Sequence, residues 1–340
     1  MTAATLAERL AGTPAAVLPE GPDAVHWRPA TEADVQAMLD CARAIDAADH
    51  PHYLTAREEI ADDFGMAHVD PARDTLLAVD ADGRVLAAGW SILPPEHDRA
   101  VSVYTTGGVR PSERGRGIGR RLIAWQRARG AEQLATVQEA LPGRLQTSVD
   151  DGAPSAHRLL EREGYVLARW FRTLTRPLAE PIPDLPIAWF EVRCPTEPDE
   201  DAVRLARNAA FRDHWGSQPR TAAEWAVGWN ESIARHDLGS IAVEPDGTVA
   251  AFVLAWVHPE DFPAQGYSSV YIGLVGTLAP YRGRGLAAAL LARTMRLAAA
   301  EGLERAVLDV DADSPTGAVG LYERLGFTGE QRSRAYVLEV

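Results

Sequence analysis

The sequence predicts an α/β fold made of two tandem copies of one domain, each a mixed, mostly antiparallel sheet flanked by helices. Three observations predict it. The chain has 340 residues, more than one hydrophobic core of about 100–200 residues organises. It also repeats itself. Gly108-Val-Arg-Pro-Ser-Glu-Arg-Gly-Arg-Gly-Ile-Gly119 is echoed by Gly276-Thr-Leu-Ala-Pro-Tyr-Arg-Gly-Arg-Gly-Leu-Ala287, and Leu159-Leu-Glu-Arg-Glu-Gly-Tyr165 by Leu321-Tyr-Glu-Arg-Leu-Gly-Phe327, in the same order and at nearly the same separation. Finally, strand-like and helix-like stretches alternate in the same order in both halves.

Each half opens on a short strand, 25–28 and 188–193, that leads into a helical stretch. In the first half Thr31 is placed to cap that helix, and Val35, Met38 and Leu39 give it an apolar face. Strands 75–79 and 85–92 follow, joined by Asp80-Ala-Asp-Gly83. Their counterparts are 240–243 and 249–257, joined by Glu244-Pro-Asp-Gly247. Asp-Gly between apolar runs is a hairpin signal. A further strand, 101–109 or 269–277, runs into the Gly-Arg loop, and a helix, 118–134 or 286–301, leaves it. Strand, helix and a last strand complete each half. Pro177, Pro181, Pro183 and Pro186 stiffen the stretch between the halves. The expected division is an N-terminal extension 1–24, a first domain 25–178, a linker 179–187 and a second domain 188–340. Trp170-Phe171 and Trp189-Phe190 flank that linker and are expected to fill a domain interface.

Composition excludes several function classes. Acidic residues outnumber basic ones 48 to 34, for a net charge of −14, so no nucleic-acid partner is expected on a broad basic surface. All the basic residues other than histidine are arginine. Schiff-base chemistry and a P-loop lysine are therefore ruled out. Cys41 and Cys194 are far apart, with no cluster of metal-ligand spacing near either, so no metal is expected. No apolar run reaches the ~20 residues of a membrane span, and Glu8 and Arg9 interrupt the N-terminal stretch. The expectation is a soluble cytoplasmic chain, monomeric or homodimeric.

A strand, an Arg-x-x-Gly-x-Gly/Ala loop and a long helix make an anion site. The first-turn amides of a helix lack intrahelical acceptors and carry about half a positive charge. Glycines let the backbone approach an oxyanion closely. Neither copy ends in Gly-Lys-Ser/Thr, which excludes a Walker loop. Both loops follow several antiparallel strands, which excludes a dinucleotide fold.

The segments Arg114-x-x-Gly117-x-Gly119 and Arg282-x-x-Gly285-x-Ala287, with Leu321-Tyr-Glu-Arg-Leu-Gly-Phe327, resemble the GNAT acyltransferase superfamily over nearly the whole chain. The tandem layout is similar to that of actinobacterial tandem acetyltransferases of that superfamily. The resemblance implies acetyl-coenzyme A as cofactor, with its pyrophosphate on the loop amides and its pantetheine arm along the preceding strand. The implied binding residues in the second half are Val275, Gly276, Thr277, Arg282, Gly283, Arg284, Gly285, Leu286, Ala287, Ala288 and Ser314. In the first half they are Gly107, Gly108, Val109, Arg114, Gly115, Arg116, Gly117, Ile118, Gly119 and Arg120. The second half departs from the family pattern in two places: its proline is Pro280 where spacing wants position 279, and Ser314 stands where Asn is common.

The resemblance also implies a proton donor for the departing thiolate, Tyr322 in the second half. The matching residue of the first half, Leu160, cannot donate. The expectation is a second half that does chemistry and a first half that binds cofactor or braces the structure. For the base, Phe211-Arg-Asp-His-Trp-Gly216 offers Asp213 and His214; His214 either takes a proton near neutral pH or is a loop residue satisfied by backbone. Asp309, Asp311 and Asp313 alternate after the late strand and read as a solvated strand end or a helix cap, with metal binding as the lesser alternative. Glu231 and Trp229 are further pocket candidates. The leading reading is an acetyl-CoA-dependent N-acetyltransferase acting on a small-molecule amine. A transferase of another acyl or aminoacyl group and a non-catalytic CoA-binding sensor are the alternatives.

Overall fold

The computed structural model describes residues 3–20, 24–51, 53–212, 214–313 and 317–340. Its strands are β1 (His26–Arg28), β2 (Thr75–Val79), β3 (Val85–Ile92), β4 (Val101–Val109), β5 (Gly143–Asp150), β6 (Val166–Pro177), β7 (Glu191–Arg193), β8 (Ser240–Val243), β9 (Val249–Trp256), β10 (Ser269–Thr277), β11 (Arg305–Asp311) and β12 (Thr328–Glu339). The hairpins, the strands before both loops and the helices after them lie where periodicity and turn chemistry place them. The helices span Ile118–Leu134 and Leu286–Ala300.

The chain folds into two compact units. Unit 1 is Met1–Arg169 with Ser333–Val340, and unit 2 is Trp170–Arg332. In unit 1, β1 to β4 form an antiparallel run, β5 joins β4 in parallel, and the Ser333–Glu339 stretch of β12 pairs antiparallel with β5. In unit 2, β7 to β10 form the same antiparallel run and β11 joins β10 in parallel. Here the Phe171–Pro177 stretch of β6 lies antiparallel to β11. Each half therefore sends its last strand to close the other half's sheet. Sequence order assigns those strands to their own halves. Strand pairing is a non-local choice, and local patterning carries no signal of it.

The division thus falls at 169/170 and 332/333, not at the proline-rich stretch. Residues 179–187 lie inside unit 2: Leu178 is buried, and Ile182, Leu185 and Ile187 pack against the same core. Arg176 and Arg296 donate to the carbonyls of Pro181 (2.8 Å) and Pro183 (2.6 Å). The prolines make the stretch extended, and the apolar residues between them pin it down. The N-terminal extension is pinned too. Leu6 is fully buried, and the amides of Leu6 and Ala7 donate to Glu139 and Val137. Trp189 is 91% exposed, contrary to its expected packing role. It has φ 74°, a conformation a bulky residue rarely adopts, and it points to solvent while Phe190 packs on Tyr281.

The cores follow from alternation. In unit 2 the strands β9 to β11 and the helix Leu286–Ala300 bury an aliphatic cluster that includes Leu290, Leu291, Met295 and Val253. The opposite face of the sheet packs Trp225, Trp229 and Phe252. Both faces are covered, so β9 is an unbroken apolar run, as expected of a buried central strand.

Candidate active site

Both Gly-Arg loops fold alike. Gly115, Gly117, Gly283 and Gly285 all have φ between 78° and 83°. A Cβ at Gly283 or Gly285 would meet nothing. It is therefore the left-handed conformation, not space, that requires glycine there. Gly285 is the N-cap of the following helix, whose first main-chain bond runs from Ala289 to the Gly285 carbonyl. The amides ahead of it are the unpaired donors of a helix start.

In unit 2 the parallel pairing of β10 with β11 runs from Ser269–Arg305 to Tyr271–Val307 and stops. Beyond it β10 follows β9 to Thr277, while β11 follows β6 to Asp311. A β-bulge between Ile272 and Leu274 helps β10 swing away. Gly273 occupies the bulge because a Cβ there would come within 2.8 Å of the Trp256 ring. The two strands open into a wedge at the mouth of the loop. A cleft of about 830 Å³ fills it.

Of the residues expected to bind in unit 2, Val275, Gly276, Thr277, Arg282, Gly283, Gly285, Leu286, Ala287 and Ala288 line this cleft, and Arg284 does not. The Arg284 guanidinium lies over the Tyr281 ring. Arg282 is turned back to fold the loop, donating to the carbonyls of Thr277 (3.2 Å) and Ala210 (3.3 Å). Ser314 and Asp213 lie outside the described residues. His214 lines the cleft, with its Nδ1 3.1 Å from the Trp215 carbonyl. Trp215 and Phe171 form an aromatic wall, 6.5 Å between centroids. Glu231 and Trp229 do not line the cleft: Glu231 accepts from the Trp256 indole (3.1 Å) and Trp229 is buried against His236.

Tyr322 is brought to the same cleft by the helix Ala318–Arg324. It is buried and makes an edge contact with Phe327. Burial pushes its phenol up to about 12. Asp309 also lines the cleft. Sequence alternation suggests a solvated strand end for it, and solvent does reach the side chain. Protein nevertheless crowds it on the remaining sides, and that burial pushes its pKa up, against the opposing hydrogen bonds of Thr173 and Tyr271. Among the described residues no group of three or more His, Cys, Asp or Glu is placed to hold a metal.

Unit 1 has its own cleft, of about 460 Å³, lined by Gly107, Gly108, Val109, Arg114, Gly115, Gly117, Gly119 and Arg120. Arg116 pairs with Glu113, and Ile118 is buried in the core. The Arg114 guanidinium is locked in a two-pronged pair with Asp49 at 2.8 and 2.6 Å. Both arginines line their clefts and are also engaged within the protein, Arg114 by Asp49 and Arg282 by the carbonyls of Thr277 and Ala210. Leu160 stands where Tyr322 stands in unit 2.

Residues 201–327 match the model of the acetyltransferase (GNAT) family. A mycothiol acetyltransferase of Salinispora tropica is 32% identical to the chain over 87% of it and 89% of that protein. The chain belongs to the GNAT family. It is an acetyltransferase of the N-acetyltransferase type. Among solved structures, a GCN5-related N-acetyltransferase from Sphaerobacter thermophilus shares 27% identity and a TM-score of 0.71, covering 94% of this chain and 97% of that one. A tandem GNAT protein from the clavulanic acid biosynthesis pathway shares the fold with a TM-score of 0.64 at 18% identity, covering 93% and 98%. No described helix of this GNAT chain is long and apolar enough to cross a membrane.

Proposed function

We propose that this GNAT enzyme transfers an acetyl group from acetyl-CoA to the amine of a small molecule, that unit 2 does the chemistry, and that unit 1 binds the cofactor or braces the fold. One observation carries the reading: the glycine loop, the open wedge of β10 and the Tyr322 hydroxyl share a single cleft in unit 2, while unit 1 offers Leu160 in place of the phenol.

The residues fit such a cofactor. The left-handed turns at Gly283 and Gly285 leave no Cβ between the loop amides and a diphosphate, and the helix start at Leu286 adds its dipole. The strand edge of β10 released by the wedge offers main-chain groups to an extended amide-bearing arm. When bound, the thioester supplies an activated acyl group and a sulfur leaving group. The backbone donors at the wedge would meet the charge that develops on its carbonyl oxygen. Tyr322 remains protonated throughout the working range. Its phenol, at about 12, is a weaker acid than a thiol of pKa about 8.5. Its role is to donate a hydrogen bond to the departing sulfur and pass a proton on, not to give one up in advance.

Calorimetric titration with acetyl-CoA tests this reading, with Gly117→Val and Gly285→Val in parallel. Binding at unit 2 that Gly285→Val weakens, together with thioester cleavage that falls in the same variant, is the expected result. Absence of binding to the wild-type protein overturns it. Binding without any cleavage favours a CoA-binding sensor.

A further inference from the structure

We propose that Asp309 is the general base of unit 2 and the group that seats the acceptor's ammonium, held in place by Tyr271 and Thr173. The inference rests on the proposed acetyl-CoA reading and names the base that reading leaves unassigned.

Register locates Asp309. The parallel pairs 269–305, 270–306 and 271–307 would continue to Gly273 opposite Asp309. Pairing ends one step earlier, at the wedge, and the bulge sits at Gly273 itself. Asp309 therefore faces the bulge of β10 across the open wedge. A thioester arm running from the loop along β10 would pass this point. Two donors fix the carboxylate from opposite sides. Thr173 Oγ1, on the paired strand β6, donates to Oδ1 at 2.5 Å, and Tyr271 Oη on β10 donates to Oδ2 at 3.0 Å. Each oxygen keeps a further lone pair for the cleft.

Unit 1 supplies the internal comparison. Four residues beyond the first parallel pair stands Asp309 in unit 2 and Thr147 in unit 1. The residue facing it across the wedge is Gly273 in unit 2 and Thr105 in unit 1. The unit whose late helix carries Tyr322 thus also carries the carboxylate. The unit that has Leu160 has neither.

The proton balance closes. A primary amine arrives as its ammonium, and the Asp309 carboxylate takes one proton and frees the nitrogen lone pair. A C–N bond forms at the acyl carbon and the C–S bond breaks, its electron pair leaving on sulfur. The sulfur receives the second proton shed by nitrogen, relayed through the Tyr322 hydroxyl, and Asp309 returns its proton to solvent. An ordinary aspartate near pKa 3.9 is a poor base at neutral pH. The protein around Asp309 shifts it upward from that value, against the two hydrogen bonds that hold it. The ionisable groups that share the cleft with it are Tyr271, Tyr281, Asp311, His214, Tyr322, Arg324 and Arg282.

The test measures wild type, Asp309→Asn and Asp309→Glu for acetyl-CoA affinity by calorimetry. Thioester cleavage is measured with glucosamine, with spermidine and with water alone, across about two pH units either side of neutrality. Asp309→Asn is expected to bind acetyl-CoA like wild type, to lose about 100-fold or more in kcat/KM, and to lose the acidic limb of the pH profile. Asp309→Glu should restore that limb in part. If Asp309→Asn does not fold, Tyr271→Phe replaces it; loss of a donor should move the acidic limb to higher pH without changing acetyl-CoA affinity. Wild type that fails to bind acetyl-CoA overturns the cofactor reading. Wild type that cleaves the thioester no faster than Asp309→Asn, or an Asn variant that keeps the acidic limb, overturns the base assignment alone. Wild type that binds acetyl-CoA and leaves it intact with both amines and water overturns the chemistry and the base together.

Discussion

The two clefts start from the same loop and end with different side chains. Both have a pair of left-handed glycines, a helix that begins on the second of them and a strand that parts from its parallel neighbour. In unit 1, β4 pairs with β3 without a register shift, a bidentate Asp49 holds Arg114, and the wedge is faced by Thr105 and Thr147. Tyr165 at its floor is buried, and its phenol is pushed up to about 12. In unit 2, β10 is bulged at Gly273, and Asp309 and Tyr322 enter the same cleft. A loop held by left-handed glycines is present in both units, because it depends on main-chain conformation. Acid–base chemistry depends on single side chains, and a unit that lacks them keeps the loop alone.

That contrast can be broken or sharpened, beginning with the largest effect after Asp309 itself. Tyr322→Phe should reduce turnover by about 100-fold with acetyl-CoA affinity unchanged, since a positioned proton donor contributes on that scale; steady-state kinetics beside calorimetry separate the two. Unchanged turnover would remove the hydroxyl from the mechanism and weaken the contrast with Leu160. Next, Gly285→Val imposes a side chain at φ 79°. Strain of about 1–3 kcal/mol predicts roughly 5- to 150-fold weaker binding at unit 2. Gly117→Val should do the same at unit 1 alone. If calorimetry shows one site that only Gly285→Val removes, unit 1 is a structural partner.

Gly273→Ala should act at the bulge. Its Cβ would crowd the Trp256 ring, at a cost of about 1–3 kcal/mol, and close the wedge. Melting temperature and turnover should fall together, while Thr105→Gly in unit 1 leaves turnover intact.

The smallest effect is shared by both units. Arg28 grips Asp34 at 2.8 and 2.6 Å, and Arg193 grips Asp199 at 2.5 and 2.7 Å. These hydrogen bonds hold Asp34 down at about 2 and Asp199 lower still. A depressed folded-state pKa contributes stability that is present above the unfolded carboxylate range, near 3.9, and lost as pH falls toward 2. Asp34→Asn and Asp199→Asn should each lower the melting temperature slightly at neutral pH and flatten its decline in acid, as scanning calorimetry would show. Equal slopes in variants and wild type would rule the pairs out as acid-sensitive ties.

Much of this was readable from residues. Asp80-Ala-Asp-Gly83 and Glu244-Pro-Asp-Gly247 mark real hairpins, because a tight turn needs a residue at positive φ and both Gly83 and Gly247 have it. The loop glycines are readable for the same reason. Alternation along the strand predicts a solvated Asp309, and its side chain is exposed; its partners Thr173 and Tyr271 were not readable, because alternation reports which face a residue is on, not what faces it. His214 reaches the cleft, whereas Glu231, which has no spacing argument behind it, is spent on the Trp256 indole. The proline-rich stretch looks like a linker because proline content reports stiffness; that it lies on the unit 2 core depends on Leu178, Ile182 and Ile187 finding that surface.

By itself, then, the sequence determined the duplication, the order of elements and the conformation of both loops, all consequences of interactions spanning a few residues. Tertiary structure decided the rest. It sent β6 to pair with β11 and β12 to pair with β5. It stopped β10 and β11 from pairing beyond Tyr271–Val307, and it set Asp309 against the bulge. Each is a choice of neighbour between segments far apart in the chain. That choice is made by the whole sheet's register and burial, and no local pattern of residues encodes it.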